Sequence, residues 1–95
     1  RLSWAEAQRH VDAGALWLDV RYPPEFQNDR LPGAVNVPLG EIRNALGVLD
    51  GEREYIVYCQ SGRRSSAAAF LLSQGGYRAC WLEGGLQARA LAECN

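Results

Sequence analysis

Apolar and polar positions along the chain follow two alternating rhythms. In "SWAEAQRHVDAG" Trp4, Ala7 and Val11 fall on one helical stripe, Ser3 and Glu6 have capping-box spacing, and Gly14 follows the last periodic residue. That pattern predicts a helix from about residue 4 to Ala13. "ALWLDV" is a short apolar run with branched and aromatic members, a buried strand that stops at Asp19 or Val20. In "RYPPEF" the paired prolines allow at most one helical turn, begun at Pro23 or Pro24. "LPGAVNVP" holds a shorter strand around Ala34 to Val37, closed by Pro38. Leu39, Ile42, Leu46 and Leu49 then recur at helical spacing and predict a short helix weakened by Gly47.

The second half repeats the alternation more strongly. "REYIVYC" is a third strand, apolar and β-favouring through "YIVY", and its end delivers Cys59. Ser65 to Gln74 is the strongest helix, with Ala68, Leu71 and Leu72 available to a core and Gly75-Gly76 as its stop. "RACWLEGG" gives a fourth strand and "LQARALAEC" a terminal helix. Strands that alternate with helices over short connections predict an α/β fold: three layers, α/β/α, around a central, mostly parallel sheet of four to five strands. Ligands of such sheets bind beyond the carboxyl ends of the strands. Asp19, Arg21, Asn36, Cys59 with its loop, and Glu83-Gly84-Gly85 stand at those ends and are expected to converge.

Composition narrows the function. The 95 residues make a single domain spanning 1–95, of which 47% are apolar and 22% charged, the balance of a soluble globular protein. No apolar run approaches the ~18 residues of a membrane span. A net charge of −1, with basic residues scattered along the chain, argues against a nucleic-acid partner. All 10 basic residues are arginine, so an anion site has to be built from guanidinium forks and backbone N–H groups. Cys59, Cys80 and Cys94 form no C-x-x-C pair and the chain has 1 histidine, which argues against a Cys/His metal centre and a full disulfide framework; no metal and no cofactor are expected. Without a signal-peptide pattern the expected compartment is the reducing cytoplasm. The first residue is not methionine and a helix start follows at once, so the expectation is a domain cut from a longer protein, with room for fusion to another domain.

The chemistry concentrates in "VYCQSGRRSSAAAF". A cysteine where strand, loop and helix meet can pack, ligate a metal or act as a nucleophile. A strand that turns through "QSGRR" into a helix has to curve tightly, and Gly62 is the residue that can take positive φ there. Successive N–H groups in such a turn point inward, and the helix N-terminus adds its unpaired donors, so Gln60, Ser61, Gly62, Arg63 and Arg64 are expected to form an anion cradle. Beside it the Cys59 thiol is expected to ionise below its ordinary value of about 8.5. No nearby histidine or acid pair supplies a general base, which leaves electrostatic activation.

The loop resembles the active-site loop of the rhodanese family of sulfurtransferases, whose pattern is Cys-x-x-Gly-x-Arg; Cys59, Gly62 and Arg64 occupy its fixed positions. "LDVRYPPEF" is similar to the family's Asp-Val-Arg segment with a following Glu-Phe, "LPGAVNVPL" to its Pro-Gly-Ala segment and "LEGG" to its late Gly-Gly turn, together from about Ser3 to Ala88. The chain departs from the family at Asp29-Arg30, where Gly-His is common, and near Arg89, where a tryptophan is frequent. The resemblance implies a two-step transfer of sulfane sulfur through a persulfide on Cys59. The donor would be a small sulfur anion such as thiosulfate, and the acceptor cyanide, a thiol or a protein thiol. Cys59 is then the nucleophile, the backbone from Gln60 to Arg64 the cradle, and Arg63 or Arg64 the donor-binding side chain.

Two other readings compete. Phosphatases and arsenate reductases of this fold use a Cys-x5-Arg loop, and here Ser65 stands where that arginine would be. A non-catalytic interaction module would not need the cysteine that this chain keeps. Among the supporting residues, Asp19 and Arg21 read as an ion pair tying neighbouring loops, and Glu25 likewise. Ser65 and Ser66 read as thiolate donors or as helix caps. Cys80 reads as core, Cys94 as a disordered tail residue and His10 as a surface residue far from the strand ends; a disulfide of Cys80 or Cys94 with Cys59 is the lesser alternative.

Overall fold

The computed structural model describes residues 1–89. Its elements are α1 (Trp4–Asp12), β1 (Leu16–Asp19), α2 (Pro23–Asn28), β2 (Val35–Asn36), a 3-10 turn (Leu39–Glu41) running into α3 (Ile42–Ala45), β3 (Glu54–Tyr58), α4 (Arg63–Gln74), β4 (Arg78–Trp81) and a closing 3-10 turn (Gly85–Ala88). The four strands form a parallel sheet in the order β2-β1-β3-β4. Helices cover both faces, as the alternation predicts. Leu18, Val20, Tyr55, Val57 and Cys59 point to the face covered by α3 and α4, with Ile42, Ala68 and Leu72. Trp17, Ile56 and Tyr58 point to the face covered by α1, with Ala7 and Leu82. Successive strand side chains alternate between these faces, and that alternation sends Cys59 beneath α4.

The chain leaves β1 toward β2 on one side and β3 toward β4 on the other. The carboxyl ends of β1 and β3 therefore flank the crevice where strand order reverses, which is where open parallel sheets hold ligands.

Several boundaries differ from the sequence expectation. The helix at Pro23 runs six residues, longer than one turn, because its prolines fill the first positions, where no N–H is needed, and Glu25 accepts the Tyr22 N–H at 3.1 Å. The stretch from Leu39 to Leu49 is a 3-10 turn plus a four-residue helix. Leu46 leaves the helix in extended conformation, yet Leu39, Leu46 and Leu49 still pack around the α4-side core. α4 begins at Arg63, two residues before the predicted Ser65. The predicted terminal helix opens with a 3-10 turn from Gly85 to Ala88 followed by a helical Arg89, and its remainder, with Cys94, lies outside the described residues.

On the α1 side Asp19 and Arg21 form a buried pair, 0% and 3% exposed. Arg21 donates its backbone N–H to Asp19 Oδ1 at 2.9 Å and its guanidinium Nη2 to Oδ2 at 2.8 Å. The same Nη2 donates to the Asp29 carbonyl at the end of α2, and the guanidinium stacks 5.8 Å from the centre of the Tyr58 ring. Asn36 Nδ2 donates to the carbonyls of Asp19 and Arg21 at 2.9 and 3.0 Å. The pair thus ties β1, β2 and α2 into one unit.

At the other edge, the turn after β4 docks on the end of β3. Leu86 N–H donates to the Cys59 carbonyl and Gln87 N–H to the Gln60 carbonyl, each at 3.0 Å. This close approach needs glycine at position 85, where an added Cβ would lie 2.3 Å from the Cys59 carbonyl oxygen.

Each anchor has a measurable consequence. Asp19→Ala leaves a buried guanidinium without its counter-charge and is expected to cost about 3–5 kcal/mol, read from the urea midpoint; a loss within experimental error would contradict the buried-pair assignment. Gly85→Ala is expected to cost about 1–3 kcal/mol by forcing the turn away from the loop, read as a lower Tm. An unchanged Tm would show that the turn does not bear on β3.

Candidate active site

The end of β3 carries Cys59 into a backbone loop that closes over its sulfur. Gly62 takes φ 104°, a left-handed conformation that favours glycine. A Cβ there would also come 3.1 Å from the Trp81 ring. The turn directs Gly62 N–H to Cys59 Sγ at 3.0 Å and Ser65 N–H, in the first turn of α4, to the same atom at 3.4 Å. With Cys59 as a thiol, Sγ donates to Ser65 Oγ at 3.4 Å and Ser65 Oγ donates to the Gly62 carbonyl at 3.1 Å; when the thiolate forms, the Ser65 hydroxyl turns its one proton to Sγ. The carbonyls of Cys59 and Gln60 are occupied by the turn after Gly85, which leaves the loop's N–H groups as the atoms facing the sulfur.

Burial pushes the Cys59 thiol up, and the hydrogen bonds from the Ser65 hydroxyl and the amides of Ser65, Gly62 and Ser61 outweigh it, so the thiol ionises below its ordinary value. This is activation by backbone donors rather than by a base. The chain's His10 cannot act as one. It is half-buried and bonded to Glu54 at 2.8 Å, at the amino end of β3, while Cys59 follows the carboxyl end.

The loop arginines differ. Arg64 is turned toward α2, donating Nη1 to Glu25 Oε1 at 2.7 Å and Nη2 to Oε2 at 3.1 Å. Its guanidinium stacks on Tyr22, 5.4 Å from the ring centre. Hydrogen bonding to Glu25, opposed by burial and assisted by the charges of Glu25 and Cys59, raises its pKa. Arg63 is exposed. Gln60 is half-buried and Ser61 exposed at the rim. Ser66 donates to the Arg63 carbonyl at 3.0 Å and does not reach the thiol.

Not every strand-end residue joins this site. Asp19 pairs in register with Tyr58, and both side chains lie on the face opposite Cys59, so Asp19 and Arg21 brace the framework without touching the sulfur. Glu83 pairs with Arg1 at 3.6 Å on the exposed surface. Cys80 is level with Ile56 in the sheet register and packs on the α1 side. It stands about 10 Å short of Cys59 along the strand direction, which rules out a direct disulfide without backbone movement. Among the described residues no group of His, Cys, Asp and Glu could hold a metal ion, and no helix is long and apolar enough to cross a membrane.

Sequence reasoning did not link Glu25 to Arg64, which are 39 residues apart. It placed Glu83-Gly84-Gly85 among the converging strand ends, without indicating that the turn there occupies the loop carbonyls. The signal for Glu25 was its place in the segment "RYPPEF"; no local rule connects that segment to the start of α4.

Comparison with known proteins agrees with this geometry. Residues 3–91 match the rhodanese-like domain family. The chain is 39% identical over 79 residues to the thiosulfate sulfurtransferase PspE of Escherichia coli, covering 81% of this chain and 76% of that one. It is 31% identical over 88 residues to the thiosulfate sulfurtransferase GlpE of Pseudomonas syringae, covering 92% and 83%. The crystal structure of a rhodanese-related protein from Thermoplasma volcanium superposes with a TM-score of 0.87 at 32% identity, covering 96% of this chain and 90% of that one. The chain belongs to the rhodanese-like domain family, and it matches single-domain sulfurtransferases of that family over most of their length.

Proposed function

We propose that this protein is a thiosulfate sulfurtransferase that moves a sulfane sulfur through a persulfide on Cys59. The observation that carries the reading is the convergence of the Gly62 and Ser65 amides and the Ser65 hydroxyl on one sulfur, at 3.0 to 3.4 Å. Such donors stabilise negative charge where it develops. In the first step the Cys59 thiolate attacks the outer sulfur of an anion such as thiosulfate. A bond forms between Sγ and that sulfur, the donor's S–S bond breaks, and sulfite leaves with the bonding pair. In the second, cyanide or a thiolate attacks the outer sulfur, and Cys59 thiolate leaves with the pair. Charge is conserved in each step and no proton has to move.

The amides serve both intermediates. They hold the thiolate before transfer and the persulfide after it, and the persulfide carries its reactive sulfur about 2 Å beyond Sγ, toward the acceptor. Gln60 and Ser61 at the rim complete the donor-binding surface, with Arg63 as its exposed cation. A reducing compartment such as the cytoplasm suits this cycle, because it protects the resting Cys59 thiolate from oxidation. The Cys-x5-Arg phosphate chemistry is not favoured, since Arg64 is paired with Glu25 and Ser65 fills the next position.

The direct test is mass spectrometry after incubation with thiosulfate. One added sulfur on the peptide containing Cys59 is expected, together with loss of thiocyanate formation and an unchanged far-UV spectrum in Cys59→Ser. A folded wild-type protein that takes no sulfur from any sulfane donor would point instead to an interaction module. A second variant separates donor geometry from nucleophile identity. Ser65→Ala removes one hydrogen bond to a charged sulfur, so the thiol pKa rises and less thiolate is present at neutral pH. Turnover at pH 7 is expected to fall about tenfold or more and to recover as pH rises; a pH-independent loss would show that Ser65 acts only on packing.

A further inference from the structure

The turn that occupies the loop carbonyls contains two successive glycines in left-handed conformation, Gly84 at φ 77° and Gly85 at φ 58°. Glycine brings little stiffness of its own, so the turn keeps its place through contacts from outside it. The start of the chain supplies them. Glu83 N–H donates to the Leu2 carbonyl at 2.8 Å, and Leu2 N–H donates to the Trp81 carbonyl at 2.9 Å. Two residues further on, in the first turn of α1, Trp4 Nε1 donates to the Gly85 carbonyl at 3.3 Å. Leu2 and Trp4 thus clamp the turn at both ends.

Through that turn the indole reaches the thiol. The Gly85 carbonyl and the Leu86 N–H belong to one planar peptide unit, and this N–H donates to the Cys59 carbonyl at 3.0 Å. A bond that holds the carbonyl end orients the N–H end. It also polarises the unit, which strengthens the following bond by about 10–30%. Gln87 N–H holds the Gln60 carbonyl at 3.0 Å, and the loop then presents Gly62 N–H to Cys59 Sγ at 3.0 Å. The indole is itself held in place. Its ring centre lies 5.8 Å from that of Trp17, and Trp17 meets Tyr58, the residue before Cys59, edge-on at 5.8 Å.

We propose that Trp4 is a positioning residue for sulfur transfer: its indole N–H holds the Gly85–Leu86 peptide on the Cys59 carbonyl and so keeps the loop amides aimed at the sulfur. The inference rests on the sulfur-transfer reading above and adds to it a residue of α1 that never touches the substrate.

Trp4→Phe keeps an aromatic ring against Trp17 and removes the N–H. Both side chains are uncharged, so Arg63, Arg64 and Glu25 keep their charges and a moved titration reports on the amides. Thiolate absorbance is expected to give an ionisation constant for Cys59 about two- to threefold smaller than in wild type, with an unchanged far-UV spectrum. Below the midpoint, sulfur uptake from thiosulfate should slow by the same factor, and it should recover as pH rises through the midpoint. Trp17→Phe alters the same aromatic contact and leaves the indole bond of Trp4, so it should lower Tm without moving the titration. In the wild-type protein the nuclear magnetic resonance signal of the Trp4 Nε1–H should shift with pH at the Cys59 midpoint, and Cys59→Ser should abolish that shift; packing alone produces no such coupling. Equal ionisation constants in wild type and Trp4→Phe, the same change in Trp17→Phe as in Trp4→Phe, or an indole signal that ignores the titration would overturn the proposal. The wild-type signal decides the matter even where Trp4→Phe fails to fold. A protein that takes up no sulfur while its thiol still responds to residue 4 would defeat the sulfur-transfer reading and leave the coupling standing.

Discussion

A buried sulfur that has to carry negative charge needs hydrogen-bond donors, and here the backbone supplies them. Burial alone would hold Cys59 as a thiol. The amides of Gly62 and Ser65 and the hydroxyl of Ser65 reverse that outcome. Their direction depends on the positive φ of Gly62 and on the turn after β4, which occupies the carbonyls of Cys59 and Gln60. Trp81 packs against the same glycine. The loop is therefore fixed by contacts from β4 and its following turn, which hold the backbone of Cys59 and not its sulfur.

The sheet separates two electrostatic tasks by face. On the α1 side, Asp19 and Arg21 are buried against one another and tie β1 to β2 and α2. On the α4 side, Cys59 faces donors that carry partial charges only. Period-2 alternation along β1 and β3 keeps the buried carboxylate away from the thiol. A carboxylate on the thiol's own face would oppose ionisation. Glu25 meets the loop only through Arg64, so its charge reaches the site already balanced.

Much of this was legible in the sequence, and the limits are physical. Strand–helix alternation yielded a parallel sheet with helices on both faces because the run "YIVY" is buried on both sides, which continuous hydrophobicity reports. Cys59, Gly62 and the helix start formed a local pattern, and local patterns survive folding. The 39-residue separation of Glu25 from Arg64 left no such trace; the approach of Gly85 to the Cys59 loop followed from the shared strand ends, but not its hydrogen bonds to the loop carbonyls. Leu39, Ile42, Leu46 and Leu49 had helical spacing, yet only a short helix formed; Gly47 takes φ 86° and the later leucines reach the core from a turn. The paired prolines misled in the opposite direction, since positions that lack donors are tolerated at a helix start.

The central claim is that the loop's hydrogen-bond donors, with no general base, lower the pKa of the Cys59 thiol. It is tested most directly by titrating the thiolate through its ultraviolet absorbance, with Cys59→Ser as the blank that removes Cys80 and Cys94. The account predicts a midpoint below the ordinary thiol value of about 8.5. A midpoint at or above that value would mean that burial prevails over the loop's hydrogen bonds, and it would contradict the account.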